Sequence, residues 1–163
     1  MSDSVKVAGN AFDEAIMRQI RRERDVIIGE RTAEFIKKQI GCSYLRSAEL
    51  GLTVKGKHFI TSMPVSIDVS STEVYLAMRP QLESISETVR SVLELTPPEL
   101  SADIADSGIY LTGGGALLHG IDKMLREKTG VKTFVAKDLS IASPSAPAKR
   151  SRTLIFSAKT AMF

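Results

Sequence analysis

The chain has 163 residues, 43% of them apolar, enough to bury one core of ordinary size or two small ones. No run approaches the roughly 18 to 20 apolar residues of a membrane span, and the opening MSDSVKVAGN lacks the apolar stretch of a signal peptide, so a soluble, unexported, cytoplasmic protein is expected. The formal charge of +3 belongs to the end of the chain: Lys149, Arg150, Arg152 and Lys159 follow residue 138 without an acid, leaving 18 basic and 19 acidic groups on residues 1–138. A near-neutral body with interspersed signs offers no stripe to neutralise phosphates, and nucleic acid is not an expected partner.

In chain order, Asn10 is a good N-cap for a first helix with Phe12, Ile16 and Ile20 on one face, ending by Asp25. The cluster RQIRRERD, Arg18 to Asp25, mixes both signs and reads as a solvated helix face. After the short apolar VIIG, a second helix is predicted over 30–40. It turns Ala33, Ile36 and Ile40 inward, shows Glu30, Glu34, Lys37 and Lys38 on another face, and is stopped by Gly41. The single cysteine, Cys42, cannot form an internal disulfide and reads as a structural, partly buried thiol.

From Leu50 to Val69 the period changes to that of strands. Two antiparallel strands are predicted, with a turn at Lys55-Gly56-Lys57 and Pro64 at an edge or bulge. Ser70 and Glu73 form a capping box that opens a long helix to about Leu95, with Val74, Met78, Ile85, Val89 and Val92 in one stripe. Pro80 within it predicts a kink or a break. Thr96-Pro97-Pro98-Glu99 repeats the capping-box pattern before a short helix to about Ala105.

GIYLTGGGALLHGIDKML, residues 108–125, then sets an apolar strand against three glycines and a helical pattern, predicted from about Ala116 to Lys128 with Leu117, Ile121 and Leu125 inward. Gly130 stops that helix and VKTFV follows, completing a β–α–β unit. Glycines between a strand and a helix can bare main-chain N–H groups to a flat ring or an anion; they can equally be a tight turn without a ligand. The spacing matches neither a phosphate-binding P-loop nor a dinucleotide fingerprint. In an open α/β sheet, ligands sit off the carboxyl ends of the strands, where these glycines fall.

VAGNAFDEAI, IIGERTAEFIKKQIG, LTPPELSADIADSGIYLTGGGALLHGIDKMLREKTG and VKTFVAKD, in that order and spacing, resemble the C-terminal half of the bacterial actin homologues of the MreB/Mbl family over residues 5–138. The resemblance implies an α/β fold, the second lobe of the actin/Hsp70/sugar-kinase ATPase type. Its small α+β subdomain would be residues 26–95, and part of its larger subdomain would be 1–25 with 96–138. It also implies binding of ATP with Mg²⁺, self-association into filaments, and a shape-determining role in which the protein, cytoplasmic and membrane-associated, guides the cell-wall elongation machinery in peptidoglycan synthesis at the inner membrane. In the family the GGGAL segment, here Gly113, Gly114, Gly115, Ala116 and Leu117, faces the adenine and α-phosphate end of the nucleotide. The helix with ERTAEFIKK flanks adenine and ribose, which makes Glu34, Phe35, Ile36 and Lys37 the contact candidates. A carboxylate can accept from two ribose hydroxyls and a lysine stem can cover a purine face. The plainer reading of Glu34 and Lys37 is a surface i,i+3 ion pair.

The chain departs from the family pattern in two ways. The two phosphate loops and the catalytic acid of the family lie upstream of the resembling stretch, so no catalytic residue is expected here and nucleotide binding by these residues alone is expected to be weak. The alternative is a non-enzymatic remnant or interaction module. Missing sheet strands are expected to leave an unpaired edge in the larger subdomain. Residues 139–163, rich in Ser, Ala, Pro and base, lack the family's pattern. They read as a divergent, disordered tail in which TLIFSAKTAMF makes either a short strand or an adhesive patch, or less readily a membrane-targeting helix.

Overall fold

The computed structural model describes residues 9–112, 114–135 and 154–157. Their contacts divide the chain into two compact units, one made of residues 9–83 with 118–120, the other of 84–117, 121–135 and 154–157. By these contacts the first helix groups with the residues that follow it.

The reason lies in the two helices that open the first unit. α1 (Gly9–Arg24) and α2 (Glu30–Ile40) face each other with matched apolar stripes: Phe12, Ile16 and Ile20 on one, Ala33, Ile36 and Ile40 on the other, all buried. An ion pair between Lys37 Nζ and Asp13 Oδ1 at 2.8 Å joins the same helices. α2 ends at Gly41, as expected, but through φ −59°, outside the left-handed region. What requires glycine there is space: a Cβ would stand 2.2 Å from the Lys37 carbonyl oxygen.

The sheet of this unit is antiparallel, in the order β1-β2-β3, formed by β1 (Val26–Ile27), β2 (Gly51–His58) and β3 (Pro64–Ser70). The turn expected at Lys55-Gly56-Lys57 is not there, because β2 runs straight through those residues, with Gly56 opposite Val65. Gly56 serves the close approach of β1: a Cβ would meet Val26 Cγ1 at 2.5 Å and the Ile27 carbonyl oxygen at 2.8 Å. The chain reverses instead at 59–63, where Ser62 takes φ 58° and the His58 ring nitrogen Nδ1 accepts from the N–H groups of Ile60 and Thr61. Pro64 opens the edge strand β3, a place where its missing N–H is harmless.

α3 (Ser71–Leu95) starts as the sequence indicates, with the Glu73 N–H donating to Ser70 Oγ at 3.2 Å. Only half the box forms, since the Glu73 carboxylate turns to Arg24 at 3.3 Å. Pro80 does not break the helix, which is continuous to Leu95. Val74, Met78, Ile85 and Val89 are buried as the stripe requires, and Val92 is half-buried.

In the second unit, α4 (Pro98–Ser107) is preceded by Pro97 in the N-cap position with no side-chain cap. Thr96 is no cap: its hydroxyl donates back to the Val92 carbonyl at 2.6 Å, closing the end of α3. β4 (Ile109–Thr112), a 3₁₀ turn (Gly114–Leu117), α5 (Ile121–Thr129) and β5 (Thr133–Val135) follow, and β4 and β5 pair in parallel, so the β–α–β unit is present. The helix predicted from Ala116 starts five residues later. Gly120 at φ 81° interrupts it, and within the first unit the His119 carbonyl accepts from the Ser43 N–H at 2.8 Å and the Ser43 hydroxyl at 3.0 Å. Ile121, Met124 and Leu125 are the buried face of α5. Gly130 ends it at φ 73°, in the left-handed conformation that suits glycine.

β6 (Leu154–Ser157) pairs with β4 in parallel, giving the order β5-β4-β6. β4 has a neighbour on each side, and among the described residues the unpaired edges of this sheet fall at β5 and β6. Within TLIFSAKTAMF, Leu154–Ser157 forms a short strand; the rest of that segment lies outside the described residues. The expectation of disorder for 139–163 meets a strand at Leu154–Ser157 and otherwise lies outside the described residues.

Candidate functional site

The candidate residues lie on one turn of α2 and after the carboxyl end of β4. On α2, the helical period separates the four of them. Ile36 is fully buried among the apolar residues between α1 and α2, so its side chain belongs to the core and has no surface to offer a ligand. Glu34 and Phe35 point outward, and Phe35 keeps 48% of its surface exposed. Lys37 is half-buried, with its ammonium on Asp13.

The expected Glu34–Lys37 pair is replaced by two others. Glu34 Oε1 meets Lys38 Nζ at 2.7 Å, one helical turn on, while Lys37 is drawn to α1. The hydrogen bond from Lys38 and its charge hold the Glu34 carboxyl below the usual glutamate range. Glu34 is therefore an ionised, outward-facing acceptor at neutral pH. The sequence places Lys38 on the Glu34 face but does not show Asp13 as the partner of Lys37, because that choice depends on how two helices pack, which spacing within one helix does not reveal.

At the end of β4, Ile109 and Leu111 are buried and Tyr110 and Thr112 half-buried. Tyr110 stacks on Phe134 of β5 with ring centroids 5.3 Å apart. The chain then turns through the 3₁₀ segment, in which Ala116 is buried and Gly115 half-buried. Gly113 lies outside the described residues, as do the side-chain surroundings of Gly114 and Leu117. The α5 N-terminus is at Ile121, so the expected juxtaposition of glycines and helix N-terminus is loosened by one intervening turn.

Cys42 lies outside both groups. It is buried, its thiol donates to the Ser71 carbonyl at 3.7 Å, and burial raises its pKa despite the opposing influence of Arg46. Among the described residues no group of three or more His, Cys, Asp or Glu side chains could hold a metal ion, and no helix is long and apolar enough to cross a membrane.

A family model described as MreB/Mbl protein matches residues 1–146. The cell shape-determining protein Mbl of Bacillus cereus is 43% identical over 137 residues, 84% of this chain and 41% of that protein. The cell shape-determining protein MreB of Escherichia coli is 41% identical over 137 residues, 84% of this chain and 40% of that one. Among solved structures, MreB5 of Spiroplasma citri bound to ADP superposes with a TM-score of 0.79 at 37% identity, covering 82% of this chain and 41% of that chain; the AMPPNP-bound form gives 0.77. The chain thus spans about two-fifths of the length of the curated relatives it matches.

Proposed function

The chain belongs to the MreB/Mbl family and shares the actin-like ATPase fold of its relatives, and from that premise we propose that it supplies the adenine and ribose contacts of a filament-forming, shape-determining cytoskeletal protein. One solved relative, MreB5 of Spiroplasma citri, has crystal structures bound to ADP and to AMPPNP, which supports adenine nucleotide as the ligand class. The observation that carries the assignment to residues is the pairing of a half-exposed Phe35 with an ionised Glu34 on the outer face of α2. A purine face and a ribose diol would use both groups. Lys37 would contribute its stem, its head being held by Asp13. Gly113, Gly114, Gly115, Ala116 and Leu117 would give main-chain contacts. ATP carries Mg²⁺ on its phosphates, and no residue of this chain is proposed to hold the ion. Peptidoglycan synthesis as the process served, and a position along the inner membrane, belong to the same proposal and rest on family membership.

Self-association has support of a different kind. The 59–63 reversal exposes Phe59 by 49%, Ile60 by 75% and Met63 by 63%, three large apolar side chains at one hairpin tip. A contiguous apolar tip on a water-soluble unit fits a contact with another copy.

Calorimetric titration of the 163-residue chain with adenosine, ADP and ATP tests the nucleotide reading. Weak binding is expected, and Glu34→Ala should lower adenosine affinity by roughly tenfold, the size of one lost hydrogen bond to a charged group. Phe35→Ala should do likewise. Equal affinity in wild type and both variants would remove α2 from the site.

A further inference from the structure

We propose that Leu154–Ser157 is a tethered, exchangeable edge strand: it closes the β4 edge of its own chain and can leave to fill the same edge of a second copy. β4 is the central strand of its sheet, flanked by β5 on one side and β6 on the other, with Ile109 opposite Leu154, Tyr110 opposite Ile155, Leu111 opposite Phe156 and Thr112 opposite Ser157. Its inward residues Ile109 and Leu111 are 0% and 3% exposed. An open edge beside them would be a template for strand addition.

Two features make the occupant exchangeable. β6 has a strand neighbour on one side only among the described residues and is four residues long, so few ladder bonds hold it. Parallel pairing also demands a long connection. Residues 136–153 provide 18 residues containing Pro144, Pro147 and several serines, and such a segment can span up to about 60 Å. That reach far exceeds the two strand spacings, about 10 Å, separating β5 from β6. A connection of that contour length is long enough for docking within one chain at low concentration and for docking between chains at high concentration. Exchange of an identical element between copies is a low-cost route to assembly.

The test uses the full chain in a Cys42→Ala background with a short thiol-to-thiol crosslinker. Thr112→Cys combined with Ser157→Cys in one chain should give a monomeric, internally linked product at micromolar concentration. Mixing a Thr112→Cys chain with a mass-tagged Ser157→Cys chain at ~100-fold higher concentration should give a heterodimer linked between residues 112 and 157. Placing Ile155→Pro in the Ser157→Cys chain should abolish both products, and Ile155→Val should retain them. Absence of the internal link would show that β6 is not docked. An internal link without the heterodimer would show that it does not exchange, and links that survive Ile155→Pro would show that strand pairing is not their source. Each of these three results overturns the proposal, and none bears on the Glu34 and Phe35 reading.

Discussion

Gly56 shows how one residue can look like a turn and act as a gap. Lys-Gly-Lys between apolar alternations is a hairpin signal, yet the glycine lies in mid-strand because β1 crosses where its Cβ would be. Gly56→Val should therefore destabilise the chain by about 1–3 kcal/mol, the usual range for forcing extra volume into a packed site. Gly51→Ala, with nothing within 4 Å of the added carbon, should change stability by no more than about 0.5 kcal/mol. Urea denaturation of both variants separates the two, and an equal loss would refute the steric account. Cys42 offers a second check. Because burial raises its pKa in the folded chain, the folded state keeps the thiol proton after the unfolded state has lost it. Its contribution is complete below the unfolded thiol's pKa of about 8.5 and is lost as pH rises through the higher folded value. The urea midpoint should fall between pH 8 and 10 in wild type and fall less in Cys42→Ala. A disulfide-exchange reagent at pH 7.5 should react slowly until the chain unfolds.

At the scale of elements, periodicity is enough to find α1, α2, α3, the presence of two antiparallel strands over 50–70 though not where they turn, and the β–α–β unit, because each buries one stripe and each stripe is written at 3.6 or 2 residues. Connections were harder to read. The break before α5 depends on Ser43 holding the His119 carbonyl across 76 positions of sequence, which no local pattern encodes. The absent Thr96 cap and the two-residue β1 have the same origin in tertiary context. At the candidate site, the burial of Ile36 follows from its own helix face and limits its role to the core. Pro80 gives an element-scale prediction. It sits exposed inside a continuous helix, where proline lacks an N–H for the Leu76 carbonyl and costs up to about 3 kcal/mol against alanine. Pro80→Ala should raise the thermal midpoint, and a lowered midpoint would mean that the ring supports a geometry the helix needs. At the β2–β3 tip, Ile60→Asp should reduce concentration-dependent association in sedimentation velocity while leaving the thermal midpoint near wild type, since the side chain is 75% exposed. Unchanged association would free the tip of that role.

For the whole molecule, each unit has its own buried centre: Ile16, Ile20, Ile36 and Met78 in one, Ile109 and Leu125 in the other. Each also has one central strand, β2 or β4, with neighbours on both sides. Hydrogen bonds in such strands open only when the unit around them loosens, so the slowest amides of each unit should be those of β2 and β4. Truncating a fully buried side chain removes transfer free energy and leaves a cavity, about 2–5 kcal/mol for Ile or Leu to Ala. Ile36→Ala should accordingly speed exchange in α1, α2 and β2, and Leu125→Ala in β4, β5 and α5, because those elements form the respective centres. Residue-resolved exchange under native conditions is the measurement. If Ile36→Ala accelerated β4 as much as β2, the two centres would be opening as one cooperative core, and the division of the chain at residues 83 and 84 would describe geometry without describing energetics.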